Sequence, residues 1–426
     1  MRFPCSAFAL VVLAACGSKT EFIVPSFDAG PELDASADVP IDVPAVRDSS
    51  VPPPRPDICV ELPLPAPPTF VDSRFVARIA SADVLFLVDV TGSMLDEIRQ
   101  IQASLREVIV PGLIAEIPDV SLSVAEFADF PVLPYGAETD EPFRIRQPST
   151  TDIGAVQRGV GRLAERSGGD PPESHVEALW QAATGRGIPG ELPPAMCANG
   201  EVGYPCFREN GSRIILLFTD AEFHNGPGGS QMYAPGSLRP PPATYEQTVG
   251  ALRTIGARVL GLYSGGFGGD ALRDLRSIAT DTGAVTPDGQ PIVFDIGQLG
   301  EDLGEGVIDV VRTLVQDVLL DVDAVVEDAP FDGVDATEFV VGVETLGARP
   351  RDGASDLGDR YVDVQPGTEV AFRFILDNTR FEPGPVPVSY FLTIVLRGDG
   401  VTRLRETLVE IVIPAIDGTG CPVVDG

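Results

Sequence analysis

Positive charge is what this 426-residue chain has least of: 30 Lys+Arg, with Lys19 the only lysine, stand against 63 Asp+Glu, for a formal charge of −33. Such a surface repels phosphate backbones instead of neutralising them, which excludes nucleic acid and favours cations and basic partners. There are two histidines, His175 and His224, and no close Cys/His cluster, so zinc is not expected. No Gly-x-Ser-x-Gly nucleophile motif occurs, and the glycine-rich run 265–269 lacks the spacing and lysine of a phosphate loop. No enzyme is expected. What is present is enough apolar sequence, 44%, for a globular protein, together with 40 Pro and 45 Gly that assign part of the chain to linker. At roughly 150 residues per domain, the length allows two or three domains.

The N-terminus carries one charge, Arg2, and an apolar run from Ala7 to Ala15 that is too short to span a bilayer as a helix. It reads as an export signal over residues 1–15. Its end, Leu13-Ala14-Ala15-Cys16, resembles the lipobox of bacterial lipoproteins, which implies cleavage before Cys16 and acylation of that cysteine. The expected location is therefore the outer membrane or cell surface of a bacterium, with the periplasmic face also open, and the membrane partner is reached through the lipid anchor. Residues 16–75 are rich in Pro, Asp, Ala and Ser without helical or strand period, and read as an acidic, extended tether, of which 59–75 can add a strand to a later domain.

Removing Cys5 with the signal and Cys16 to lipid leaves Cys59, Cys197, Cys206 and Cys421, an even number that suits an exported protein. Three pairings are open. Cys197 and Cys206 flank a short loop and Cys59 and Cys421 bracket the folded region, so these two bridges are expected.

From residue 82, short apolar strands alternate with amphipathic stretches, the order of a doubly wound, mostly parallel α/β sheet. Strands are expected at 84–89, 120–127, 213–219, 258–263 and, more weakly, 291–295. Helices are expected near 93–115, 152–165, 173–184, 245–255, 271–280 and 301–319. Such sheets bind ligands beyond the carboxyl ends of their strands. There Asp89-Val90-Thr91-Gly92-Ser93 gathers a carboxylate and two hydroxyls, oxygen donors that suit a hard cation such as Mg2+. Spacing alone favours a plainer reading, hydroxyls capping the following helix. A second acid, Asp220, closes another apolar strand.

These segments resemble a von Willebrand factor A domain, closest to the integrin β I-like domain: Asp89-x-Thr91-x-Ser93, then Gly169-Asp170-Pro171-Pro172-Glu173, then Phe218-Thr219-Asp220-Ala221-Glu222-Phe223-His224, in the family's order. The resemblance runs from about Ala82 to Asp321, within a domain expected over residues 76–321. It implies a metal-ion-dependent adhesion site in which Asp89, Thr91, Ser93, Glu173 and Asp220 hold Mg2+, with Ca2+ or Mn2+ as substitutes, and a protein partner's Asp or Glu completes the shell. It also implies one flanking ion at Asp96 and Glu97 and another at Asp129, Asp170 and Glu173, although Gly168 stands where the family has asparagine. From 322 to 426, short β-rich runs separated by turns suit an immunoglobulin-like sandwich. Arg397-Gly398-Asp399 reads as a hairpin turn rather than an adhesion motif. The expected protein is a surface-anchored, metal-dependent adhesion lipoprotein; the alternative is an envelope scaffold whose ion only stabilises the fold.

Overall fold

A computed structural model describes residues 55–79, 81–265, 270–297, 302–329 and 332–421. The signal peptide, Cys16, the tether up to residue 54 and the glycine-rich run 266–269 lie outside the described residues. Strands β1 (Ile58–Glu61) and β2 (Thr69–Val76) come first. They are followed by β3 (Ser81–Asp89), α1 (Leu95–Ser104), α2 (Val110–Glu116), β4 (Asp119–Phe127), β5 (Arg144–Thr150), α3 (Ile153–Val160), α4 (His175–Thr184) and β6 (Ser212–Thr219). Then come α5 (Tyr245–Thr254), β7 (Ala257–Tyr263), α6 (Asp270–Asp281), β8 (Val293–Asp295) and α7 (Leu303–Asp317). Strands β3 to β8 form one sheet of order β5-β4-β3-β6-β7-β8, parallel throughout except where β5 runs against β4.

The apolar run of β3 explains its central place. Val84, Phe86 and Val88 face the layer of α1, α2 and α7, where Ile98, Leu113 and Val310 meet them, while Leu85 and Leu87 face Val176, Leu179 and Leu252 on α4 and α5. Both faces are covered, as a parallel sheet requires. The helix expected over 93–115 is broken by a π turn at Leu105–Ile109: Pro111 has no N–H to offer the ladder, and Val110 N bonds back to Leu105 O. Strand β5 was not expected, because its residues are polar, half-exposed and include Pro148, which an antiparallel edge strand tolerates.

The rest of the chain forms β9 (Leu320–Asp328), β10 (Val340–Arg349), β11 (Ser355–Asp356), β12 (Arg360–Val364), β13 (Glu369–Leu376), β14 (Val388–Gly398) and β15 (Thr402–Ile413). They make two sheets, β1-β15-β14-β9-β12-β11 and β10-β13-β2, packed over Tyr361, Phe372, Phe374, Leu392, Ile394 and Ile411. Because β1 pairs with β15 and β2 with β13, the α/β domain is an insertion between β2 and β9. Residues 58–76, where one added strand was allowed over 59–75, thus give the sandwich two strands, and the inserted domain begins at Ser81 rather than at 76. Only Val71 and Ser73 of β2 are buried, too few for its alternation to stand out in a Pro-rich neighbourhood. Disulfides join Cys59 to Cys421 and Cys197 to Cys206.

The β14–β15 turn contains the Arg-Gly-Asp tripeptide and docks against the inserted domain. Arg397 is held by both carboxylate oxygens of Asp323, at 3.0 and 2.6 Å. Asp399 accepts from Arg258 Nη2 on β7 at 2.6 Å and from Asp321 N at 3.0 Å. Asp399 is therefore a clasp between the domains, while the Arg397 pair lies within the sandwich. Arg258 is mostly buried and Asp399 about one-third exposed, so Asp399→Ala is expected to cost about 1–2 kcal/mol, read as a lowered urea midpoint.

Candidate metal centre

Strands β3 and β6 are neighbours and end together, which brings Asp89 and Asp220 to one edge of the sheet. Glu173 reaches the same place by backbone stitching: its N–H donates to Glu222 O, and its carbonyl accepts from His224 N, both at 2.9 Å. Gly168 must be glycine here, because its φ is +65° and an added Cβ would stand 2.8 Å from Glu173 Oε1. The result is a cleft of about 410 Å³ lined by Thr91, Ser93, Asp170, Glu173, Asp220 and Glu222 among others, with no Lys or Arg in its wall among the described residues. Asp89 lies fully buried next to its lining residue Thr91.

The hydroxyls do not cap the helix. Thr91 donates through its amide and its Oγ1 to Asp89 Oδ1, at 3.0 and 2.6 Å, and Ser93 Oγ donates to Asp220 Oδ1 at 2.9 Å. Neither the 3₁₀ turn Gly92–Met94 nor α1 has a side-chain cap bond. Both hydroxyls point at acids, so the capping explanation of the Asp-x-Thr-x-Ser spacing fails.

The acids are crowded in a way that protein groups leave uncompensated. Burial and the charge of Asp220 push the Asp89 carboxyl up to about 7. Burial, then the charges of Asp89 and Asp129, push Glu173 up to about 11, and burial raises Asp220 as well. Glu173 Oε2 is buried without a hydrogen-bond partner. Proton bookkeeping agrees for Asp89. His175 is fully buried and neutral, its pKa depressed by burial to about 3, and its Nδ1 sits 3.1 Å from Glu173 O, so the single N–H belongs there. Its Nε2 then accepts from the Thr219 hydroxyl at 2.7 Å, and Thr219 Oγ1 has no proton left for Asp89 Oδ2, also 2.7 Å away. In the metal-free protein a carboxyl O–H on Asp89 fills that contact. Asp89, Thr91, Ser93, Glu173 and Asp220 fit a divalent cation: oxygen donors, a buried unpaired oxygen, and excess negative charge at the floor of an open cleft.

The flanking residues divide. Asp96 is ion-paired to Arg99 at the surface, at 3.0 Å, whereas Glu97 is buried, with Oε2 unpartnered and its carboxyl raised by burial. The structure does not bring this pair together. Asp129, fully buried and raised by burial to about 8, accepts from Phe130 N and Tyr233 OH through Oδ1, both at 2.6 Å. Asp170 lies at the cleft rim. The residue missed is His224, given no site role from sequence, whose Nε2 lies 3.4 Å from Asp129 Oδ2 and 3.3 Å from Asp170 Oδ1. Its place four residues after Asp220 was the available signal.

No protein-family model and no curated protein matches the chain. Among solved structures, a von Willebrand factor type A protein from Catenulispora acidiphila is similar at 14% identity and TM-score 0.36, over 84% of this chain and 72% of that one. The pilus adhesin SpaC from Lactobacillus rhamnosus GG in its open conformation is similar at 11% identity and TM-score 0.31, over 81% of this chain. A second form of SpaC gives 12% identity and TM-score 0.33. The matches span 45% and 47% of the two SpaC chains, less than half of that adhesin's length.

Proposed function

We propose that this protein is a divalent-metal-dependent adhesion or protein-binding lipoprotein that captures a partner's Asp or Glu at the cleft above Asp89. The observation that carries the reading is the unpaired, buried Glu173 Oε2 among three acids whose hydroxyl neighbours all face the carboxylates. Asp89, Thr91, Ser93, Glu173 and Asp220 would hold Mg2+, or Ca2+ or Mn2+ in its place. The ion supplies a Lewis-acidic position for an incoming carboxylate. The chain's own part is to present that position at the cleft, and the contacts that select the partner come from the rim. The anchor reading rests on the lipobox resemblance at Cys16; among the described residues no helix is long and apolar enough to cross a membrane.

Isothermal titration of Mg2+, Ca2+ and Mn2+ into the metal-stripped full chain, beside Asp89→Ala, tests the ion site. Wild type is expected to bind and Asp89→Ala to lose affinity on the order of 100-fold while keeping its far-UV circular dichroism, since an inner ligand matters at least as much as the outer residues that support one. Equal binding by both proteins would remove the centre from Asp89. Capture of an Asp- or Glu-containing peptide only when the ion is present would then separate adhesion from a purely stabilising ion.

A further inference from the structure

The resemblance placed Asp129, Asp170 and Glu173 around an oxygen-lined flanking ion. The structure sets an imidazole against the first two instead. His224 is 3% exposed and stacked on Tyr233, with ring centroids 4.1 Å apart, and the edge of Tyr135 closes its other side. Its Nδ1 lies 2.7 Å from Gln231 O and donates there, which turns the Nε2 lone pair towards Asp129 and Asp170. A backbone carbonyl fixing the far ring nitrogen is the usual support of a metal-bound histidine. Asp129 is positioned just as firmly: Tyr233 OH and Phe130 N occupy Oδ1, and Oδ2 is left buried without a hydrogen-bond partner.

Two uses of this cluster prefer different distances. An imidazolium bridging two carboxylates would draw each oxygen to roughly 2.7–2.9 Å, the length of a charge-assisted bond. The observed 3.4 and 3.3 Å are longer than that, the second a weak hydrogen-bond contact with Asp170 Oδ1. Two metal–ligand bonds of about 2.0–2.1 Å at a tetrahedral angle hold their donor atoms about 3.3 Å apart. All three donor atoms lie within 4.8 Å of one another.

We propose that Asp129, Asp170 and His224 form a second metal centre, for a late first-row cation of the zinc class, with solvent completing the shell at the exposed Asp170 side. The nitrogen donor sets the class: imidazole favours Zn2+ and Co2+ over Mg2+ and Ca2+, which the all-oxygen donors around Asp89 suit. Sequence excluded zinc because no Cys/His cluster is visible along the chain; the three ligands come from 129, 170 and 224, joined only by the fold. The inference stands apart from the adhesion reading, since neither site shares a ligand with the other.

The test loads the metal-stripped full chain, without an affinity tag, with Zn2+ by titration calorimetry and with Co2+ by visible absorption. Wild type and Asp89→Ala are expected to take one Zn2+ tightly and to show the same Co2+ ligand-field bands, and excess Mg2+ leaves those bands in place. His224→Gln and Asp170→Ala are expected to lose at least 100-fold in Zn2+ affinity and to lose the bands. Asp170 is partly exposed, so its variant keeps the test valid should His224→Gln fail to fold. His175 has both ring nitrogens engaged inside the core and offers no alternative imidazole. Zinc binding unchanged in folded His224→Gln or Asp170→Ala, or lost in Asp89→Ala, overturns the proposal, as does no tight binding by wild type.

Discussion

Asp89→Asn is expected to make the metal-free protein more stable at neutral pH while abolishing its affinity for divalent cations. The substitution keeps the shape of a fully buried side chain and removes the charge. Its carbonyl can still accept from Thr91, and its amide can donate to Thr219 Oγ1, the contact that the carboxyl O–H fills in the wild type. The sign follows from linkage. The folded-state pKa, about 7, lies above the unfolded value near 3.8, so the folded protein holds a proton that the unfolded chain releases. That stabilisation of the wild type is complete below about pH 4 and is lost as pH rises towards 7. The variant has nothing to lose, and its advantage therefore grows between pH 4 and 7 and levels above. A shift of about three pKa units corresponds to about 4 kcal/mol as an upper limit, and about 2–4 kcal/mol is the expected gain. Urea unfolding of both metal-free proteins at pH 4.5, 6 and 8 reads it. A variant that is equally destabilised at every pH would make Asp89 a structural residue. The opposite signs of the stability and binding effects are what mark a site whose charge is kept for a ligand.

How much of this was legible in the sequence depends on whether the signal was local. The run 84–88 announces a strand covered on both faces, and its fate in the structure is the one its composition requires. Asp89, Thr91 and Ser93 were visible because they share one loop, and Asp220 because it ends a second apolar strand. The geometry adds what spacing could not: that the hydroxyls bond to carboxylates rather than to helix amides. Asp96 misled because adjacent residues on a helix point in different directions, so Glu97 turns inward and Asp96 out to Arg99. His224 and β2 were lost for a different reason. Their partners are distant in sequence, Asp129 and Asp170 for the first and β13 for the second, and a half-exposed strand such as β2 carries little period of its own. Long-range pairing leaves no mark on either segment alone.

Removing the Cys59–Cys421 bridge is expected to unfold the sandwich early while leaving the proposed cation site intact. The bridge spans 362 residues, the other only 9, and the entropy withheld from the unfolded chain grows with the logarithm of the loop. The long bridge is therefore worth about 6 kcal/mol by that relation, and the short one a little under half as much. Its loss also weakens a particular contact. β1 is only four residues long, lies at the sheet edge beside β15, and is further tied by Glu61 Oε1, which accepts from Cys421 N at 2.8 Å. The inserted domain has separate cores on the two faces of its sheet, and its acids sit at the carboxyl ends of β3 and β6. The sandwich turn meets it at the opposite ends, near Arg258 at the start of β7, roughly 20 Å away along that seven-residue strand. In the Cys59→Ser/Cys421→Ser variant, calorimetry is expected to show an early sandwich transition, a later one near the wild-type temperature, and undiminished cation titration below the first. A single lowered transition with cation affinity lost alongside it would mean that the inserted domain depends on the sandwich for its fold. Retained affinity would show that the frame carries the inserted domain without shaping its cleft, and that the Cys59–Cys421 bridge serves the endurance of the fold rather than the chemistry of the acids.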